Sequence, residues 1–182
     1  MNGPRVHDRA LLDALESAET IALTLDVWRI TRAGRGAIRG STAPGRWSPG
    51  NLVEILYTSL EREGALAEIG FRLGLEPVWP SRVAHEIHNI RVATENTLRF
   101  LDVGALEAFG VDPARYGGFD YAACQALAVA AHFMEYDGLL VPSARHDSHN
   151  LVLFMDRAAA ASLEVQASEP VDWTSWRRAN RR

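Results

Sequence analysis

The apolar residues of this chain change their period several times, and each change predicts an element. Asp8 stands where a cap belongs, ahead of Leu11, Leu12 and Leu15, whose spacing predicts a short first helix. Ile21 to Ile30, closing on Val27-Trp28-Arg29-Ile30, reads as a strand, and Leu52 to Tyr57 as another. Thr58 and Glu61 have capping-box spacing, which predicts a helix running to about Leu73. On that helix Leu60, Gly64, Ala67 and Phe71 form an apolar stripe, with Glu68 at its edge and able to lean into a cleft. Arg82 to Val92 has the β-branched content of a strand, and Thr97-Leu98-Arg99-Phe100-Leu101 follows it. Tyr121 to Tyr136 is alanine-rich and almost wholly apolar, which predicts a helix buried against a sheet and stopped by Gly138. Leu139 to Val141 and Leu151 to Phe154 are short apolar runs bounded by turn residues, as buried strands are, and Leu163 to Val165 adds an edge strand. Helices and strands mix without regular βαβα alternation, so the predicted class is α+β.

Composition narrows the picture. The 182 residues, 47% hydrophobic and 23% charged, suffice for one self-supporting core, so a single domain is expected over residues 1–182, its core about 21–167. The basic tail Trp176-Arg177-Arg178-Ala179-Asn180-Arg181-Arg182 reads as solvated. A formal net charge of -4 argues against direct nucleic-acid binding as the main activity, since that needs a basic surface to displace counterions. The single cysteine excludes an internal disulfide and fits a reducing compartment. Met1 to Asp8 contains no apolar signal region, and no apolar run reaches the roughly eighteen residues of a spanning helix. The expectation is a cytoplasmic protein with no membrane partner.

Several tempting motifs lack a necessary part. In Gly34-Arg35-Gly36-Ala37-Ile38-Arg39-Gly40, Arg39 stands where a dinucleotide fingerprint needs its third glycine, and no Gly-Lys-Ser/Thr follows. His85-Glu86-Ile87-His88 is one residue short of the zinc-helix spacing, and on a strand its two histidines face opposite ways, as surface or cross-strand residues. Ser143, His146 and Asp147 are too close in sequence for a hydrolase triad, and no Gly-x-Ser-x-Gly elbow is present. Cys124 lies within the apolar helix with no neighbouring base, as a core residue does. No metal site is expected.

What remains is the long Gly- and Pro-rich loop from Gly34 to Gly50, which carries Arg46, together with Glu68 and Ser143. A guanidinium grips phosphate oxygens, a carboxylate holds a ribose hydroxyl or a developing positive sugar, and a serine hydroxyl donates and accepts. Such a set fits a phosphorylated sugar or nucleotide. The plain alternative is an Arg–Glu ion pair with a turn serine.

The chain resembles the RES-domain family, the toxin half of the Xre-RES bacterial toxin-antitoxin systems. Trp28-Arg29, Gly45-Arg46-Trp47-Ser48-Pro49-Gly50, Leu56-Tyr57-Thr58-Ser59, Ala65-Leu66-Ala67-Glu68, Gly138 to Arg145 and Asn150 to Phe154 carry the resemblance in order, over roughly residues 25 to 155. Ser48 stands where many relatives have Asn. The resemblance implies a fold related to ADP-ribosyltransferase toxins and a type II toxin that cleaves the nicotinamide-ribose bond of NAD. NAD is then the substrate, with no separate cofactor. Water or phosphate as acceptor, a protein acceptor, and a non-catalytic nucleotide-binding module all remain open. By position, the resemblance makes Glu68, Ser143 and Arg46 catalytic. It places Arg29, Arg46, Tyr57, Trp47 and Ser143 on the substrate, with Tyr57 stacking on nicotinamide and either arginine standing for the family's named one. It also implies a cognate Xre-type antitoxin that blocks the cleft within a higher-order complex.

Overall fold

The computed structural model describes residues 7–51, 53–157 and 162–180. Its elements run α1 (Arg9–Glu16), β1 (Thr20–Arg32), β2 (Ile55–Ser59), α2 (Arg62–Gly74), β3 (His85–Arg99), two 3₁₀ turns (Gly104–Phe109 and Pro113–Arg115), α3 (Ala122–Phe133), β4 (Gly138–Pro142), β5 (His149–Phe154), β6 (Leu163–Pro170) and α4 (Trp173–Ala179). The α+β class stands.

The strands close on themselves. β1 pairs antiparallel with β3 from Thr20↔Leu98 to Arg32↔His85 and meets β2 at Trp28↔Ser59. β2 pairs β5, β5 pairs β4, and β4 runs parallel to β3 at Thr97↔Gly138 to Arg99↔Leu140, completing a five-membered ring. β6 adds antiparallel to β3 on the edge that β4 leaves free, from Glu86↔Pro170 to Val92↔Leu163. It is the edge strand that the sequence predicted.

Every strand of the ring sends side chains inward: Val27, Leu56, Ile90 with Val92, Leu140, and Leu151 with Leu153 form one buried cluster. Val141, Val152 and Phe154 alternate with them and pack outward against Leu127, Ala128, Ala130 and Ala131 of α3. Strands buried on both faces read as continuous apolar runs, which is why β4 and β5 were so plain in the sequence. A third cluster joins Ala65 and Leu66 of α2 to Ile30, Ile87 and Trp173. That cluster sets α2 across the outside of the ring.

Asp8 caps α1 as predicted, its carboxylate accepting from the Ala10 N–H at 2.8 Å. The capping box at Thr58 does not form. Thr58 and Ser59 stay extended in β2, Thr58 Oγ1 donates to the Leu151 carbonyl at 2.8 Å, and α2 begins after Glu61 without a side-chain cap. β2 starts at Ile55; Leu52 lies outside the described residues. The buried side of α2 holds Ala65, Leu66, Ile69 and Leu73, rotated from the predicted stripe because the helix lies against both the ring and α4. β3 is one continuous strand joining both predicted segments, since β1 pairs it on either side of a single register shift between Ile21 and Leu23. α3 ends at Phe133, before Gly138, where Glu135 takes a left-handed φ of 67°. Gly138 instead opens β4, where a Cβ would come within 2.2 Å of the Val152 carbonyl oxygen. His85 and His88 are buried cross-strand residues, not surface ones.

Candidate active site

α2 packs on β1 and β2, and this placement brings Glu68 to two donors far along the chain. Ser143 Oγ donates to Glu68 Oε1 at 2.6 Å, and Asn150 Nδ2 donates to the same oxygen at 2.9 Å. The β4–β5 hairpin puts both donors side by side, because Val141 pairs with Asn150 and the Ser143 N–H bonds the Ser148 carbonyl at 2.8 Å. Ser143 Oγ also accepts from the Arg145 N–H at 3.1 Å, so its own proton is directed at the carboxylate. Glu68 Oε2 has no hydrogen bond among the described residues.

The loop carrying Arg46 turns tightly at Gly45 to Ser48, whose backbones exchange hydrogen bonds at 2.8 and 3.2 Å. Gln125 Nε2 of α3 clamps that turn by donating to the Gly45 and Ser48 carbonyls at 2.8 and 3.1 Å. Ser48 is fully buried and caps the Gly50 N–H at 3.2 Å. Trp47 is 2% exposed, its indole a core member whose edge lines the cleft.

Arg46 does not pair with Glu68. Its guanidinium bonds the Tyr116 and Gly118 carbonyls and lies over the rings of Tyr116 and Tyr121 at 4.7 and 4.8 Å. Arg29 is more deeply held: its terminal nitrogens donate to the Tyr57 and Arg39 carbonyls at 3.0 and 2.9 Å, tying β1 to β2 and the long loop. Burial, and then the charge of Arg35, lower its pKa to about 10.

Two adjoining cavities flank Glu68. One, about 240 Å³, is lined by Arg29, Arg35, Pro44 and Ile69; the other, about 130 Å³, by Arg46, Phe71, Phe119 and Arg145. Tyr57, Glu68, Arg72 and Asn150 line both and form the wall they share. Around this wall three buried polar atoms have no partner: Arg29 Nε, Tyr57 Oη and Asn150 Oδ1. Unpaired buried polar atoms cost about 1–3 kcal/mol each, so their clustering marks a place built for a polar ligand. Burial pushes the Tyr57 hydroxyl up to about 12.

The structure therefore brings Glu68, Ser143 and Tyr57 together and puts Arg46 and Trp47 on the neighbouring wall. Sequence reasoning did not single out Asn150, Arg72, Arg145 or Phe71 as site residues. Arg72 had a signal: one helical turn after Glu68, it must share that face of α2. Asn150 had only its place at the head of the Asn150 to Phe154 stretch that carries the resemblance, and the β4–β5 register is what reveals its meeting with Glu68. His146 bonds Ser148 and faces Glu61, so no hydrolase triad forms with Ser143. Cys124 is buried, and burial pushes its thiol up. Among the described residues no three His, Cys, Asp or Glu side chains gather as a metal site, and no helix is long and apolar enough to cross a membrane.

The sequence profile of the RES domain matches residues 26–174. A protein named NAD(+) phosphorylase MbcT, from Mycobacterium bovis and from Mycobacterium tuberculosis, is 26% identical over 167 residues, covering 88% of this chain and 90% of that protein. The fold matches the crystal structure of the M. tuberculosis MbcT–MbcA toxin–antitoxin complex with a TM-score of 0.83, at 24% identity, over 94% of this chain and 97% of that one.

Proposed function

The chain belongs to the RES domain family, and from that premise we propose that it is a toxin that degrades NAD by breaking the nicotinamide-ribose bond. The observation that carries the reading is the Glu68 carboxylate, fixed through one oxygen by Ser143 and Asn150 at the meeting of two cavities. A relative over most of the chain bears the name NAD(+) phosphorylase, which favours phosphate as acceptor, with water the lesser one.

In this mechanism NAD lies across the shared wall with its nicotinamide ribose at Glu68. The bond between ribose C1′ and the pyridinium nitrogen breaks, its electron pair goes to nitrogen, and neutral nicotinamide leaves. Glu68 stabilises the oxocarbenium-like sugar, as a preorganised carboxylate does best in a site shielded from water. A phosphate oxygen then forms the new bond to C1′. Ser143 and Asn150 hold the carboxylate; Tyr57 stacks on the nicotinamide. Arg46 and Trp47 shape the neighbouring wall, Arg46 reaching substrate from its carbonyl cradle. Arg29 supports the site from beneath through the Tyr57 carbonyl, a part nearer to scaffold than to phosphate recognition. No cofactor beyond the substrate enters.

A protein that consumes NAD needs restraint inside a cell. The matched toxin–antitoxin structure supports a cognate antitoxin, of Xre type by the family resemblance, that covers the cleft within a higher-order complex in the cytoplasm. Kinship of the ring and its crossing helix with ADP-ribosyltransferase toxins belongs to the same reading.

The test is purified chain with NAD, with and without phosphate, resolving products by chromatography. Nicotinamide release with phosphate-dependent formation of an ADP-ribose phosphate supports the proposal. Label from NAD ending on protein would make it a protein ADP-ribosyltransferase, and saturable binding without release a binding module.

A further inference from the structure

We infer that Arg72, the Tyr57 hydroxyl and the bare backbone of Gly45 form a binding site for a phosphoryl anion at the junction of the two cavities. The other arginines of the cleft are already engaged. Arg29 and Arg46 each donate to two carbonyls, Arg35 reaches the Gly40 carbonyl at 3.4 Å, and Arg145 lies 3.5 Å over the Phe71 ring. The Arg72 side chain has no hydrogen bond or ion pair among the described residues, yet it lines both cavities.

Its direction matters as much as its freedom. A cation in the last turn of a helix is ordinarily accounted for by the helix dipole and water. Arg72 instead reaches across the cleft to the opposite wall. A Cβ placed on Gly45 would stand 3.8 Å from Arg72 Nη2 and 3.0 Å from Tyr57 Oη. The two groups thus flank one small space that exists because residue 45 has no side chain.

Tyr57 supplies the second donor. Its buried hydroxyl has no hydrogen-bond partner. The Trp47 backbone N–H faces that oxygen and eases the pKa down, but an N–H gives the hydroxyl proton no acceptor. Burial outweighs that contact and the charges of Arg72 and Arg46, so the hydroxyl keeps its proton and has it to donate. A free guanidinium and an orphaned O–H facing one gap are a donor set for anionic oxygen, and Arg meets phosphate with two parallel bonds.

This inference rests on the NAD reading of the cleft for the two possible sources of such an anion. One is the pyrophosphate of NAD, which must pass from one cavity to the other at this wall; the other is the inorganic phosphate that accepts the sugar. The chemistry recognised is the same.

Three variants test it: Arg72→Gln removes the charge, Tyr57→Phe removes only the hydroxyl, and Gly45→Ala fills the gap without changing charge. Gly45 has no left-handed φ, so alanine there crowds the Tyr57 hydroxyl without straining the backbone. Two quantities are read on each folded protein: the Kd of ADP-ribose by calorimetry, against adenosine as a probe lacking phosphate, and the KM for inorganic phosphate in nicotinamide release. We expect Arg72→Gln and Gly45→Ala each to raise one of them by about tenfold or more, and Tyr57→Phe by less. A rise in the ADP-ribose Kd with adenosine unchanged assigns the site to the pyrophosphate of NAD. A rise confined to the phosphate KM assigns it to the acceptor. Unchanged values for both in folded Arg72→Gln and Gly45→Ala overturn the inference, as does a wild-type chain that binds neither probe. A wild-type chain that binds ADP-ribose through Arg72 but releases no nicotinamide sinks the NAD-cleaving reading and leaves this site standing.

Discussion

Glu68→Gln isolates the charge of the carboxylate from its geometry, because of how the two donors converge. Ser143 and Asn150 both donate to Oε1, at 2.6 and 2.9 Å, and an amide oxygen in that position still accepts both. The new NH₂ falls where Oε2 had no protein partner, so nothing nearby must move. What is lost is one negative charge beside the developing oxocarbenium. At a separation of ~4 Å and an effective dielectric constant of ~20 that attraction amounts to about 4 kcal/mol. Weaker hydrogen bonds to a neutral acceptor and partial charge development reduce the usable share, so kcat is expected to fall by about 10²–10³. The KM for NAD and the melting temperature should stay close to wild type. The assay is steady-state nicotinamide release with thermal unfolding on the same preparation. Glu68→Asp is the counterpart: it keeps the charge but withdraws it by one methylene from both donors, and it should lose rate through geometry. A Glu68→Gln enzyme with undiminished kcat would falsify the electrostatic role.

Other consequences can be measured alongside. Arg29→Lys cannot bond both the Tyr57 and Arg39 carbonyls, and the loss of about 2–3 kcal/mol should lower the melting temperature by about 5–10 °C; an unchanged value would mean the loop is held by other contacts. His85 and His88 sit below the usual imidazole value chiefly through burial, and Trp173 Nε1 donates to His85 Nδ1 at 3.1 Å, which requires that nitrogen unprotonated. The unfolded chain takes up protons near pH 6.5 that the folded chain refuses, so stability is full above ~6.5 and declines as pH falls toward the folded values. A melting temperature that stays flat between pH 7.5 and 5, or that falls with the same slope in His88→Gln, would contradict this. In Gly70→Ala the added carbon comes 2.3 Å from the Trp176 ring, and overpacking less the gain in helix propensity leaves a net loss of about 2 kcal/mol. Trp176→Leu in the same chain should recover part of it by denaturant unfolding, and no recovery would place the strain elsewhere.

Elements buried on one pattern throughout were legible; those settled by tertiary pairing were not. β4, β5 and α3 announced themselves because both their faces are apolar, and Asp8 because its cap is local. The Thr58-to-Glu61 spacing misled, since pairing with β5 holds Thr58 extended and gives its hydroxyl to Leu151. β3 looked like two segments because Thr94 to Asn96 is polar, yet the strand continues through an irregularity there, with β1 paired on either side at Leu23↔Thr94 and Ile21↔Thr97. Within the site, residue types could be named from sequence but their duties could not. Arg29, Arg46 and Arg72 are alike in a sequence, and only burial and carbonyl contacts separate the engaged ones from the free one. The Ser143–Glu68 contact spans 75 residues, beyond any local pattern.

The same distances along the chain imply a timetable for synthesis. The carboxylate emerges at residue 68, but its donors follow 75 and 82 residues later. Trp173 and Trp176, which pack beside the helix that carries it, come later still. A ribosome-bound fragment therefore holds Arg29, Arg35, Arg46 and Arg72 well before it holds a positioned Glu68. If the carboxylate cleaves NAD and a partner restrains it as proposed, a nascent chain is harmless until β5 is paired, and that partner has until then to be waiting.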